Sequence, residues 1–136
     1  MPGDEKVDDD GKRQGAQPLD LDDRNFGRFI AGAKYAAVLF WSGSCMPCRM
    51  LLMIFGELAS LRLDVSFGKV NVGTSTLANR LGVMSVPTIL LFREGRKVAR
   101  IVGVKPLKVL IEVLDNYFSE NPKEDVYSEH GQSSIM

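Results

Sequence analysis

Residues 35–49 read YAAVLFWSGSCMPCR, and this stretch decides the fold. Tyr35 to Trp41 is an unbroken apolar run with aromatic residues at its ends, of the length expected for a buried central strand. After Ser42-Gly43-Ser44, the spacing predicts a helix from about Cys45 to Leu61, with Met50, Leu51, Ile54, Phe55, Leu58 and Leu61 forming a wide apolar face. Cys45-Met46-Pro47-Cys48 therefore follows a buried strand and opens a helix, the context that gives a C-x-x-C pair a redox meaning.

The physics of that position separates the two cysteines. At a helix N-terminus the unpaired backbone N–H groups and the positive end of the dipole favour thiolate over thiol, so Cys45 is the expected nucleophile. Cys48, nearly a turn further in, is expected to be less exposed and suited to resolving a mixed disulfide. Pro47 fits the first turn because the N–H it lacks has no helical partner there, and Arg49 adds a positive charge nearby. Competing readings exist. The pair is half of a zinc site by spacing, but the chain has no third cysteine, and its one histidine, His130, reads as a solvated tail residue. A four-ligand site then needs two chains, and the expectation is no metal. Inert packing is the other alternative. Met46, Met50 and Met53 read as core filler, with Met46 in the turn as the exposed exception.

Working outward, Pro18–Leu21 reads as a short strand, and Asp22 or Asp23 is expected to cap a helix carrying Phe26, Phe29 and Ile30. Asp64–Val72 reads as a strand. STLANRLG (75–82) suits a short helix, with Ser75 or Thr74 near its cap and Gly82 at its end. Thr88–Phe92 and Val98–Val102 flank REGRK, a hairpin signal, and a final helix after Pro106 turns Leu107, Leu110, Ile111, Leu114 and Phe118 to the core. The order β-α-β-α-β-α-β-β-α predicts an α/β fold: a mixed sheet of four to five strands with about four helices covering both faces.

A chain of 136 residues, 45% hydrophobic and 25% charged, is enough for one domain. Its 17 basic and 17 acidic residues cancel overall but not locally: residues 25–118 carry twelve bases and five acids between two acidic ends. Residues 1–16 and 120–136 have too little apolar content to repay the entropy of ordering, so the expected organisation is a disordered acidic N-terminal tail, a folded domain over 17–119 and a flexible acidic C-terminal tail. No run approaches the length of a membrane span and MPGDEKVDDD lacks the order of a secretory signal, so the expectation is a soluble cytoplasmic protein without a membrane partner. In that reducing compartment two cysteines are not expected to pair for structure alone.

With these residues in place, 17–119 resembles the thioredoxin family. Trp41-Ser42-Gly43-Ser44-Cys45-Met46-Pro47-Cys48-Arg49 is similar to its W-x-x-W-C-G-P-C-K active site, and Val86-Pro87-Thr88 to its cis-proline loop. Phe26, Phe40, Lys69, Asn71, Phe92, Gly95 and Gly103 match further, in the family's order. The resemblance implies a thiol–disulfide oxidoreductase, an electron carrier of cell redox homeostasis that needs no cofactor beyond a Cys45–Cys48 disulfide. It also implies that Pro87 is cis and faces the cysteines, leaving the Val86 backbone to pair with an extended substrate segment. Trp41, Met46, Pro47 and Gly103 then line the substrate site, with Lys69 and Arg49 in support. The implied partners are disulfide-containing proteins and an electron donor such as a thioredoxin reductase, with the chain acting as a monomer.

The departures are specific. Leu39 stands where the family has a buried aspartate credited with moving the proton of the second cysteine. Lys69 then loses the partner the family gives it and must titrate low or reach solvent. Ser44 replaces the second tryptophan, Met46 a glycine, and Met53 a helix-kinking proline, so the second helix is expected to be straighter. Leu39 and Met46 support a rival reading, a binding or chaperone-like adaptor with little general reductase activity. A second rival uses Arg93, Arg96, Lys97, Arg100, Lys105 and Lys108 to hold an anionic partner. No nucleic-acid motif accompanies these bases, and nucleic acid is not an expected partner.

Overall fold

The computed structural model describes residues 17–119, so both acidic tails lie outside the described residues. Five strands and four helices follow in the predicted order: β1 Leu19–Leu21, α1 Phe26–Ala31, β2 Tyr35–Trp41, α2 Met46–Leu61, β3 Ser66–Asn71, α3 Leu77–Arg80, β4 Thr88–Arg93, β5 Arg96–Val102 and α4 Leu107–Tyr117. They form one mixed sheet in the order β1-β3-β2-β4-β5. β1 and β2 flank β3 in parallel, and β4 and β5 run antiparallel beyond β2.

β2 lies at the centre because its run has no polar side to turn to water, and all but Trp41 of its residues are buried. Alternation then sorts the core into two layers. Tyr35, Ala37 and Leu39 meet Leu51, Phe55 and Leu58 of α2 and Leu110, Val113 and Leu114 of α4. Ala36, Val38 and Phe40 point the other way, with Leu21, Ile30 of α1 and Leu77 of α3. Both faces of the sheet are thus covered by helices.

Three local expectations are corrected and one is refined. Neither Asp22 nor Asp23 caps α1: Asn25 occupies that position without a side-chain cap, Asp22 accepts from the Arg24 amide, and Asp23 reaches away to Ser75 and Thr76. At α3 the expectation holds: Thr76 precedes the helix without a side-chain cap, and the neighbouring Ser75 hydroxyl accepts from the Leu77 amide. The hairpin turn shrinks to Glu94-Gly95, both at positive φ (52° and 83°), because a two-residue turn of that hand matches strand twist and lets both strands extend. Finally, Met50, Met53 and Leu61 are exposed rather than core. At 3.6 residues per turn they fall opposite Cys48, Leu51, Phe55, Leu58 and Ala59, which α2 turns inward. α2 itself is unbroken through Met53.

Candidate active site

Cys45 is the residue on which β2 has ended and α2 has not begun. Its backbone is extended (φ −96°, ψ 109°), its amide donates to the Ser42 carbonyl at 3.3 Å, and its Sγ accepts from the Cys48 amide at 3.1 Å. A sulfur thus occupies the position normally held by a hydroxyl or carboxylate oxygen, where a donor amide and the helix dipole stabilise negative charge. The two cysteines are joined as a disulfide with Cα atoms 5.2 Å apart. Cys45 is partly exposed and Cys48 fully buried, the asymmetry the helical spacing predicts. Pro47 lies in the first turn of α2, exposed together with Met46 and Arg49.

The sheet brings the second segment to the first. Phe40 of β2 stands opposite Thr88 of β4, which puts Pro87, just ahead of β4, at the same end of the sheet as Trp41. The Val86–Pro87 bond is cis, and Pro87 is buried while Val86 is partly exposed. Gly103, at φ +92°, donates its amide to the Pro87 carbonyl at 2.9 Å and so ties the end of β5 to the proline loop. Trp41 accepts the Val72 amide on its carbonyl at 2.9 Å, whereas its buried indole Nε1 has no partner among the described residues. Two segments named from the sequence, Trp41 with the Cys45–Arg49 turn that follows it and Val86-Pro87 with Gly103, thus lie at the same end of the sheet.

Lys69 does not join them. It has a partner after all, Asp20, whose carboxylate lies 3.6 Å from Nζ at the sheet edge. Sequence reasoning missed Asp20, because a parallel pairing between residues 49 positions apart leaves no local signal. It also missed Met84, exposed in the loop just ahead of Pro87, and the clamp made by Asp23. The Ser75 hydroxyl donates to Asp23 at 2.6 Å, Thr76 contributes its hydroxyl and its amide, and these bonds hold the carboxyl down at about 2. Arg62 likewise lowers Asp64 through two bonds at 2.9 Å.

Three of the bases singled out for an anionic partner are engaged with backbone carbonyls: Arg93 with Tyr117, Arg100 with Gly82 and Lys105 with Val102. Among the described residues no group of three or more His, Cys, Asp or Glu is placed to hold a metal ion, and no helix is long and apolar enough to cross a membrane.

A half-exposed cysteine at a helix N-terminus, disulfide-bonded to a buried partner three residues on, defines a thiol–disulfide oxidoreductase. The thioredoxin family model matches residues 17–116. The thioredoxin of Alicyclobacillus acidocaldarius is 37% identical over 94 residues, covering 68% of this chain and 90% of that protein. That of Chlamydia pneumoniae is 37% identical over 98 residues, covering 71% and 95%. Among solved structures, a variant thioredoxin from Halobacterium salinarum superposes with a TM-score of 0.75 at 26% identity, covering 82% of this chain and 100% of that one. Thioredoxin f2 of Chlamydomonas reinhardtii superposes at 0.69 with 30% identity, covering 74% and 96%. The chain belongs to the thioredoxin family and is a protein-disulfide oxidoreductase.

Proposed function

We propose that the chain is a cytoplasmic electron carrier that reduces protein disulfides with Cys45 and Cys48 alone, as a monomer and without a bound cofactor. The Cys45 thiolate attacks one sulfur of a substrate disulfide, forming a mixed disulfide and expelling the other sulfur as a thiolate. Cys48 loses its proton and attacks the Cys45 sulfur, which closes the Cys45–Cys48 disulfide and releases the second substrate thiolate. Two electrons have then passed to the substrate. A dithiol donor of the thioredoxin-reductase kind, or another reductant, returns them.

The substrate backbone pairs with Val86 beside Pro87, with Trp41, Met46, Pro47 and Gly103 around it, and Arg49 adds positive charge next to the reacting sulfur. Lys69 supports the sheet through Asp20 rather than the chemistry. The observation that carries this reading is the Cys48 amide aimed at Cys45 Sγ at 3.1 Å, since it stabilises charge on one sulfur and not on the other.

Insulin reduction under excess dithiothreitol tests it. The wild-type rate should stand well above the dithiothreitol background, and Cys45→Ser should return it to background. Leu39, fully buried in an apolar layer, favours a second reading, an adaptor with the thioredoxin fold and little general reductase activity. Equal rates for wild type and Cys45→Ser would select it.

A further inference from the structure

The outer face of α2 is not composed like a solvated helix surface. Met46, Met50 and Met53 succeed one another at helical spacing, and the exposed Glu57 then interrupts the line before Leu61. The methionines are 71%, 59% and 75% exposed and Leu61, beyond Glu57, is 56% exposed, so the first two turns of this side are apolar although the opposite side already fills the core. Arg49 and Glu57 are the only charged residues in the helix. At 1.5 Å per residue the methionine stripe, from Met46 to Met53, is about 10 Å long. On the other side of the active turn Met84, 89% exposed, precedes the proline loop. A contiguous exposed apolar surface of this kind marks an interaction site, and methionine, unbranched and polarisable, adapts to varied partners.

We infer that this stripe is a docking track for the protein undergoing disulfide exchange, and that it takes an apolar, uncharged segment flanking that protein's reactive cysteine. The inference rests on the exchange reading above. The stripe begins between the two cysteines, so a substrate joined to Cys45 already lies over Met46, and the chain on one side of its cysteine leaves along α2. Once the mixed disulfide has formed, contact with Met50 and Met53 is intramolecular, and a weak apolar contact becomes effective at the high local concentration the covalent bond imposes. Covering the methionines also removes apolar surface from water, which a polar flank does not repay.

The test uses two synthetic disulfide peptides identical around the cystine, one with a Leu/Ile flank and one with an uncharged Ser/Asn flank. Wild type should reduce the apolar-flank peptide with a kcat/KM about tenfold higher or more. Met50→Glu/Met53→Glu should bring the ratio to within about twofold, and Met50→Leu/Met53→Leu should keep it. Both pairs are on the surface, and thermal melts confirm that each variant folds. A wild-type ratio near one, or a ratio that survives the glutamates, overturns the inference. So does a concentration-dependent dimer in sedimentation that the glutamates abolish, because the occupant is then a second copy of this chain. Failure of the exchange reading is separable. If insulin reduction does not depend on Cys45, the reduced peptides are titrated into Cys45→Ser and followed by Trp41 fluorescence. Preferential binding of the apolar peptide upholds the track without the reductase, and equal binding overturns both.

Discussion

Lys69 and Asp20 face each other across the β1–β3 pairing, with Nζ and Oδ1 3.6 Å apart, and Leu39 stands on the other side of Lys69 in the same row of the sheet. The row thus reads acid, base, leucine from edge to centre. The lysine directs its charge outward to Asp20, and the central position is left fully buried and apolar among Leu51, Phe55 and Ile89. α2 turns Cys48 into the same layer. No acid accompanies it there among the described residues, so the proton that Cys48 must lose has no carboxylate acceptor at the buried centre of this row.

Leu39→Asp supplies that acceptor. General base catalysis is typically worth two or more orders of magnitude, and the variant is expected to resolve the mixed disulfide at least about tenfold faster in single-turnover reduction. An unchanged rate would show that proton removal does not limit this step. The variant also loses about 1–3 kcal/mol for the buried polar group. Burial raises the folded-state carboxyl above its unfolded value, so the unfolded state ionises first and the deficit grows as pH rises between the two values. Urea unfolding across that range measures it.

Gly103→Ala should loosen the proline loop. The glycine sits at φ +92°, outside the range an L side chain adopts comfortably, and its amide holds the Pro87 carbonyl at 2.9 Å. Forcing a Cβ there costs about 1–3 kcal/mol, or shifts the backbone and breaks the bond. Thermal melting should fall accordingly, and kcat/KM for insulin should drop severalfold well below the melting temperature. A melt that falls with full activity would show that this tether serves stability alone.

What the sequence discloses and what it hides divide along range. Period-two and period-3.6 patterns are local, so Tyr35–Trp41, the helix after Cys45 and the element order could be read directly, as could the asymmetry of the two cysteines. Apolar residues alone do not say which side of a helix faces in, and the face drawn from Met50 to Leu61 mixed both sides of α2. Caps failed for a related reason: Asp22 and Asp23 satisfy the local rule, but Ser75 offers Asp23 a better partner 52 positions away. Asp20 was invisible because only the register of β1 on β3 places it beside Lys69.

Gly68→Ala tests the packing of the edge. A Cβ there lies 2.3 Å from Leu21 Cδ1 and 3.3 Å from Phe29 Cζ, so β3 can approach β1 and α1 only without a side chain at this position. Overpacking of this kind costs about 1–3 kcal/mol, seen as a lower urea midpoint at constant slope. Adding Leu21→Ala removes the clashing atoms, and the double variant should be more stable than the sum of the single losses predicts. Strict additivity would show that the strand shifts instead.

Asp23 gives the fold a titratable clamp between the β1–α1 turn and the start of α3. Its carboxyl sits at about 2 in the folded protein against 3.8 as the ordinary value, chiefly because the Ser75 hydroxyl and then the Thr76 hydroxyl donate to the charged form. The unfolded chain therefore takes up this proton first as pH falls. The clamp's contribution is complete above the unfolded value and disappears as pH falls through the folded one. Asp23→Asn removes the charge while keeping a polar side chain of the same shape, so wild type should exceed it in urea stability by a constant margin at neutral pH. That margin should shrink between 3.8 and about 2 and then vanish. A margin unaffected by acid would mean that shape rather than charge holds Ser75 and Thr76 in place.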